Sequence, residues 1–225
     1  MTDPIADPAE AAALIAALPE GERALWACAF YAGLRRGELR ALRWSCVDLE
    51  ARVIDVQRGW DQIEGEQDVK SAAGERRVPI LDPLLAELTA HKARTRLDGE
   101  ALVFGRDAQH PFNPESVRRD SLAAWGWRTV ERRKAGERRV TKLVRDREDA
   151  LEPITLHEAR HTCASLLIAA GVNPKAFSVI MGHSTIAMTF DTYGHLMPGG
   201  LDEAAAATNA YLANLAEGRK LRLVA

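Results

Sequence analysis

Alanine-rich stretches with helical apolar spacing, punctuated by a few prolines and glycines, constrain this 225-residue chain more than any other feature. Residues 8–18 and 20–31 repeat apolar side chains at three- and four-residue intervals, and Pro19 between them suits a first helical turn. Two packed helices are expected there. Gly33 breaks the second, and residues 35–42 resume with Leu39 and Leu42 on one face, so Arg35 falls at a helix start where backbone donors favour an anion. Further helices are predicted over 83–94, 114–133, 155–170, 174–181 and about 201–217. Two spans alternate as strands do: 52–58, around Val53, Ile54 and Val56, and 76–80. The expected fold class is mainly α with a small antiparallel β-sheet (α+β), and Lys70 lies on a hairpin arm between the two strands.

With 47% apolar residues, a chain of this length can furnish the core of one large domain. Cys28, Cys46 and Cys163 are far apart, form no CxxC pair and leave one over, which argues against a disulfide framework or a zinc ribbon. A reducing cytoplasm fits. The N-terminus is acidic and lacks the basic and apolar pattern of a signal peptide, and no run approaches membrane-spanning length. A soluble protein without a membrane partner is expected.

Net charge of -2 and a pI near 6.3 argue mildly against nucleic acid as a partner. The distribution of charge argues the other way. Between Arg128 and Arg147 nine basic residues face three acidic ones, whereas the first twenty residues carry Asp3, Asp7, Glu10 and Glu20 and no base. Such asymmetry lets one face meet phosphates while the whole stays near neutral. The charged segment 132–149 reads as a flexible loop, with Arg132, Arg133, Lys134, Arg138, Arg139 and Lys142 as candidate DNA contacts. A solvated surface arm is an equally open account of it.

Five residues of chemically suitable kinds crowd one C-terminal stretch: His157, Arg160 and His161 in HEARHT, His183 in MGHS, and Tyr193 in DTYGH. Two histidines and an arginine upstream of an exposed tyrosine suggest a hydroxyl nucleophile acting on an anion, since guanidinium binds phosphate oxygens and imidazoles manage protons. A second arginine stands far upstream as Arg35, and Lys70 supplies a candidate proton donor. Phosphodiester exchange needs such a set: a nucleophile, neutralised non-bridging oxygens and a proton for the departing 5′ oxygen.

GLRRGEL, VKSAAGERRVPI, HEARHTCASLL and IMGHSTIAMTFDTYGHL, in that order, resemble the signature of the tyrosine recombinase (phage integrase) catalytic domain over nearly the whole chain. The resemblance implies that family's fold and a catalytic set of Arg35, Lys70, His157, Arg160, His183 and Tyr193, with Glu38 bracing Arg35. Tyr193 would form a 3′-phosphotyrosine bond that stores the energy of the broken strand, so neither a cofactor nor a metal is expected. Arg35 and Arg160 would clamp the scissile phosphate, Lys70 would protonate the leaving group, and His157 and His183 would hydrogen-bond the phosphate and help take the tyrosyl proton. His161 is assigned to packing or to a supporting place behind the phosphate-facing residues, because adjacent helical positions diverge by about 100° and cannot both face one phosphate. His195 is read as structural or as a weak DNA contact.

Site-specific recombination in DNA integration or excision is the implied activity. Type IB topoisomerases share the chemistry, and the compact motif order favours recombination over relaxation. Double-stranded DNA is the implied partner, with a monomer in solution and a homotetramer on paired sites. Residues 1–225 are expected to be a single catalytic domain, without the upstream core-binding and arm-binding domains usual in the family, so duplex binding should be weak and strongly salt-dependent. The helix near 201–217 resembles the tail that family members pass to a neighbour, and docking on its own domain would bury the same face. Two departures, WSCVDL for a WSDVDL-like turn and HEARH for HDLRH, touch no catalytic position.

Two other classes compete. HEARH matches HExxH, the zinc hydrolase arrangement, but the extended motif needs Gly and His where Ala164 and Leu167 stand, and no glutamate recurs until Glu203. CASLLIAAGVNPKAFSVIMGHS has the rhythm of a helix-turn-helix, which would bind DNA without cutting it. That alternative leaves Arg35, Lys70 and Tyr193 without a role.

Overall fold

The structure, a computed structural model, describes residues 6–61, 63–68, 74–132, 140–194 and 200–216. Helix α1 (Pro8–Ala17) opens on a capping box in which the Asp7 carboxylate accepts from the Ala9 and Glu10 amides and Glu10 returns the contact to Asp7 N–H. Helix α2 (Glu20–Ala32) follows, with Pro19 as its N-cap, one residue earlier than the first turn, and Gly33 closing it at φ 61°. Only a left-handed residue lets the chain turn so abruptly into Arg35. Almost every residue of α2 from Ala24 onwards is buried, since the helix packs against α1 and against two later helices, α4 (Asp82–Thr95) and α6 (Leu156–Ala169). Trp26 of α2 meets Trp125 edge-on at 4.8 Å, and the Trp125 indole donates to Leu14 O.

Helix α3 (Arg36–Ala41) leads into a 3-10 turn and a three-stranded antiparallel sheet of order β1-β2-β5, made of β1 (Val47–Asp48), β2 (Val53–Val56) and β5 (Arg76–Pro79). The alternation predicted over 52–58 splits: it ends at Val56, and β3 (Arg58–Asp61) begins a separate hairpin with β4 (Gly65–Asp68). That hairpin seats on α3. A Cβ on Gly37 would lie 3.1 Å from Trp60 O, so glycine permits the close approach, while Arg40 lies over the Trp60 ring and Arg43 grips Glu66 with two guanidinium nitrogens.

Two expectations fail in the middle of the chain. The helix predicted over 114–133 stops as α5 (Pro114–Ala124), and β6 (Trp127–Arg132) follows through Gly126 at φ 87°. Helical spacing does run from Val117 to Trp125, but the glycine turn reverses the chain and the alternating WRTVER then pairs as a strand. Within the segment 132–149, expected to be a flexible loop, Val140–Arg145 form β7, antiparallel to β6. Arg133, Lys134, Arg138 and Arg139 lie outside the described residues.

The C-terminal part is helical: α6, then α7 (Pro174–Met181), α8 (Ile186–Tyr193) and α9 (Leu201–Ala216). Helix α8 had no counterpart in the sequence reading, because eight residues hold barely two turns and three of them are Thr or Phe, indifferent helix formers. The α6–α7 pair does have the expected helix, glycine and helix, yet its inner face buries Phe177 and Met181 in one cluster with Tyr193. Mainly helical with small antiparallel sheets, the architecture matches the expected class. Among the described residues no helix is long and apolar enough to cross a membrane.

Candidate active site

Helices α2, α3, α6, α7 and α8 converge on one polar cluster. Arg35 is held at the start of α3 by Glu38, whose carboxylate accepts from the Arg35 amide at 2.8 Å and from Nη1 at 2.8 Å. Its Nη2 donates to Gly182 O at 2.6 Å, and the side chain remains 42% exposed, open to a ligand. Arg160 reaches the same turn from α6, donating to Gly33 O and Met181 O. Burial and the neighbouring Arg35 charge lower its guanidinium to about 10, which leaves it cationic at neutral pH.

The MGHS turn works because Gly182 adopts φ 61°, which frees Met181 and Gly182 carbonyls to face both arginines. His183 follows, its Nδ1 2.7 Å from Thr189 Oγ1 of α8. Burial, then the charges of Arg160, Arg35 and Arg76, push its imidazole down to about 4, so it is neutral at pH 7. Glu38 behaves oppositely. Burial alone would raise its carboxyl, but hydrogen bonds and charge from Arg76 and then Arg35 bring it down to about 2.

Tyr193, expected to be exposed, is only 4% exposed. Its ring lies edge-on to Phe177 and parallel to His183, with centroids 5.5 and 6.1 Å away. Its hydroxyl is 2.6 Å from His161 Nδ1, and His161 Nε2 is 3.0 Å from His157 Nε2. His161 is thus not a packing residue alone, for it meets the Tyr193 hydroxyl. Adjacent positions do diverge, and Arg160 and His161 point to different groups, but the Tyr193 hydroxyl stands where His161 points. His157 and His161, four residues apart on one helical face, meet there together. The i,i+4 spacing in HEARH was the available signal. Glu158, the central acid of that motif, is engaged in the α6 capping box with Thr155.

Arg35 forms part of the wall of two clefts. One, of about 510 Å³, is lined by Arg35, Arg36, Arg118, His157 and Arg160. The other, of about 400 Å³, includes Trp60, Gly182 and Ser184, together with Asp68 and Gly74. Lys70 lies outside the described residues, between those last two. So does His195. Arg76, which the sequence reading passed over, belongs to the cluster: β5 alternates buried and exposed, so Arg76 points inward with Val78. Among the described residues no group of three or more His, Cys, Asp or Glu is placed to hold a metal ion.

The sequence profile of the phage integrase family matches residues 6–199. Prophage integrase IntR of Escherichia coli K12 is 31% identical over 217 residues, covering 87% of this chain and 49% of that protein. The ICEBs1 integrase of Bacillus subtilis 168 is 30% identical over 205 residues, covering 88% of this chain and 52% of its own length. The chain thus spans about half the length of these relatives. In fold it is similar to the Tn1549 transposon integrase solved with transposon right end DNA (TM-score 0.68, 21% identity, 95% of this chain and 67% of that one). XerA recombinase is also similar, with TM-score 0.59 at 23% identity over 91% of this chain and 65% of that one. With the motifs in family order, the shared fold and a profile match over most of its length, the chain belongs to the phage integrase family of tyrosine recombinases.

Proposed function

We propose that this chain is the catalytic part of a site-specific DNA recombinase, cleaving and rejoining duplex DNA through a 3′-phosphotyrosine at Tyr193. The observation that carries this is the Tyr193 hydroxyl in hydrogen-bond contact with His161, on the helix that also presents Arg160. In the forward step Tyr193 Oη attacks the scissile phosphorus, a P–O bond to tyrosine forms, and the bond to the 5′ oxygen breaks. The tyrosyl proton passes to His161 Nδ1, while His161 Nε2 can hand its own proton to His157. Lys70 protonates the departing 5′ oxygen, and Asp68 and Gly74, which flank its segment, line the cleft beside Arg35. Arg35 and Arg160 neutralise the non-bridging oxygens, braced by Glu38 and by the Met181 and Gly182 carbonyls. Neutral His183 can donate one hydrogen bond to the phosphate without adding charge. Rejoining reverses each transfer.

Double-stranded DNA is the substrate, with a tetramer on paired sites and a monomer otherwise, in the cytoplasm. Lys142 on the exposed β6–β7 hairpin is a candidate backbone contact, with Arg132, Arg133, Lys134, Arg138 and Arg139 beside it in sequence. Arg128 and Arg145 are engaged with Asp146 and Glu152 and are weaker candidates.

The test is a library of nicked suicide duplexes of randomised sequence, with covalent protein–DNA adducts recovered after denaturation and the attached DNA sequenced. The expected result is an adduct whose DNA converges on one site, with the peptide bearing Tyr193 modified. Adducts absent at every sequence would overturn the proposal. On the recovered site, His161→Gln is expected to slow adduct formation by roughly 100-fold, since general base catalysis is worth about that much. Its rate should keep rising with pH towards the usual tyrosine range near 10, because hydroxide must then replace the imidazole. Single-turnover rates between about pH 6 and 10 decide this; a His161→Gln profile parallel to wild type would remove His161 from the proton path.

A further inference from the structure

Beneath the phosphate clamp lies a third arginine that no substrate could touch. The Arg76 side chain is 1% exposed. Its Nη1 and Nη2 donate to Glu38 Oε1 and Oε2, each at 2.8 Å, its Nε donates to Ile180 O at 2.8 Å, and Nη1 also reaches Gly74 O at 3.2 Å. One guanidinium thus joins three stretches of chain that are remote in sequence. These are α3 through Glu38, the entrance to β5 at Gly74, and the end of α7 one residue before Met181, whose carbonyl takes Arg160.

We infer that Arg76 is a positioning residue for the clamp, setting the direction of Arg35 through Glu38 and the place of the Met181–Gly182 carbonyls through Ile180. The inference rests on the phosphodiester-exchange reading above. Each Glu38 oxygen serves both arginines: Oε1 accepts from Nη1 of Arg35 and of Arg76, while Oε2 accepts from the Arg35 amide and from Nη2 of Arg76. A carboxylate gripped on both oxygens by a planar fork cannot rotate, so the hydrogen bond it offers Arg35 has one direction. Without Arg76 the same carboxylate can turn towards Arg35 alone and draw that guanidinium away from the phosphate. The turn is built to admit the fork, for a Cβ on Gly182 would sit 2.8 Å from Arg76 Nη1. Stability is a poor account of the arrangement, since buried ion pairs are often matched or bettered by apolar residues of similar size. Lysine could keep the charge but not the four directed contacts.

The test uses the full chain and the duplex recovered by adduct trapping, comparing wild type, Arg76→Lys and Arg76→Met in single turnover at saturating protein. Duplex affinity and melting temperature are measured on the same preparations. Arg76→Met is expected to form adduct about 100-fold more slowly, the cost of an ångström-scale misplacement of a reacting clamp, with duplex affinity within about threefold of wild type. Arg76→Lys, which restores charge and one contact, should recover about tenfold of that loss. If Arg76→Met does not fold, Arg76→Lys alone decides, through a rate deficit that persists in fully folded, DNA-saturated protein. Either variant reacting at the wild-type rate, or a deficit that disappears once folded fraction and occupancy are matched, overturns the positioning role. Wild type forming no adduct would remove the phosphodiester reading and this inference with it, whereas an active wild type beside a fully active Arg76 variant removes only the inference.

Discussion

Tyr193→Phe will form no detectable adduct with a duplex that wild type cleaves, a fall on the order of 10⁴-fold or more, as expected when the nucleophilic atom itself is deleted. The substitution isolates chemistry from folding. Phenylalanine keeps the ring that packs against Phe177 and His183 and removes only the hydroxyl and its hydrogen bond to His161. That bond is worth about 1 kcal/mol to the fold, so the variant should melt within a few degrees of wild type and bind duplex normally. Denaturing gel shift of a labelled strand after prolonged incubation is the measurement. An adduct surviving in Tyr193→Phe would disprove the nucleophile and turn attention to another hydroxyl.

Arg160→Ala should be the next most damaging change, and it will damage two things at once. Loss of a charged double donor to the scissile phosphate is expected to cost roughly 10³-fold in adduct formation, judged by the 10²–10³ commonly lost with one such donor. The same deletion strands the Gly33 carbonyl, at about 1–3 kcal/mol for a buried acceptor left without a donor, and leaves Met181 O with only the longer 3.3 Å bond from Arg35 Nη2. Urea denaturation reads the second effect, and rates normalised to the folded fraction read the first. Arg160→Lys should fall between, because an ammonium keeps the charge but cannot serve two carbonyls and a phosphate with one planar fork. A folded Arg160→Ala protein cleaving at the wild-type rate would overturn the clamp. Arg35 is the gentler target: its side chain is 42% exposed, so its removal should cost rate with less stability.

Much of this site is legible in the sequence. Helical spacing, Gly33 and the alternation around Val53 to Val56 located α1, α2, α3 and β2 to within a few residues. The four ordered motifs picked out Arg35, Glu38, Lys70, His157, Arg160, His183 and Tyr193; Lys70 lies outside the described residues, and the other six lie in or beside one cluster. The failures have identifiable causes. A helix-like run from Val117 to Trp125 concealed the reversal at Gly126, and charge density in 132–149 was mistaken for absence of structure, although pairing with β6 orders residues 140–145. An eight-residue α8 is too short to announce itself by period.

What spacing along the chain leaves open is the partner of each side chain. That His161 and Arg160 point apart follows from the geometry of a helix; that Tyr193 waits where His161 points does not, for those residues are 32 positions apart and meet only after α6, α7 and α8 have packed. The same holds for Arg76, whose inward face alternation could reveal but whose grip on Glu38 and Ile180 spans 38 and 104 residues. Sequence by itself determined the local elements and the kinds of chemistry present, because helical and strand periods, glycine turns and charge are properties of neighbours along the chain. Tertiary structure alone decided which hydroxyl meets which imidazole and which arginine is buried against Glu38. Those contacts form between distant segments, and their direction depends on how buried faces interlock rather than on any spacing the chain carries locally.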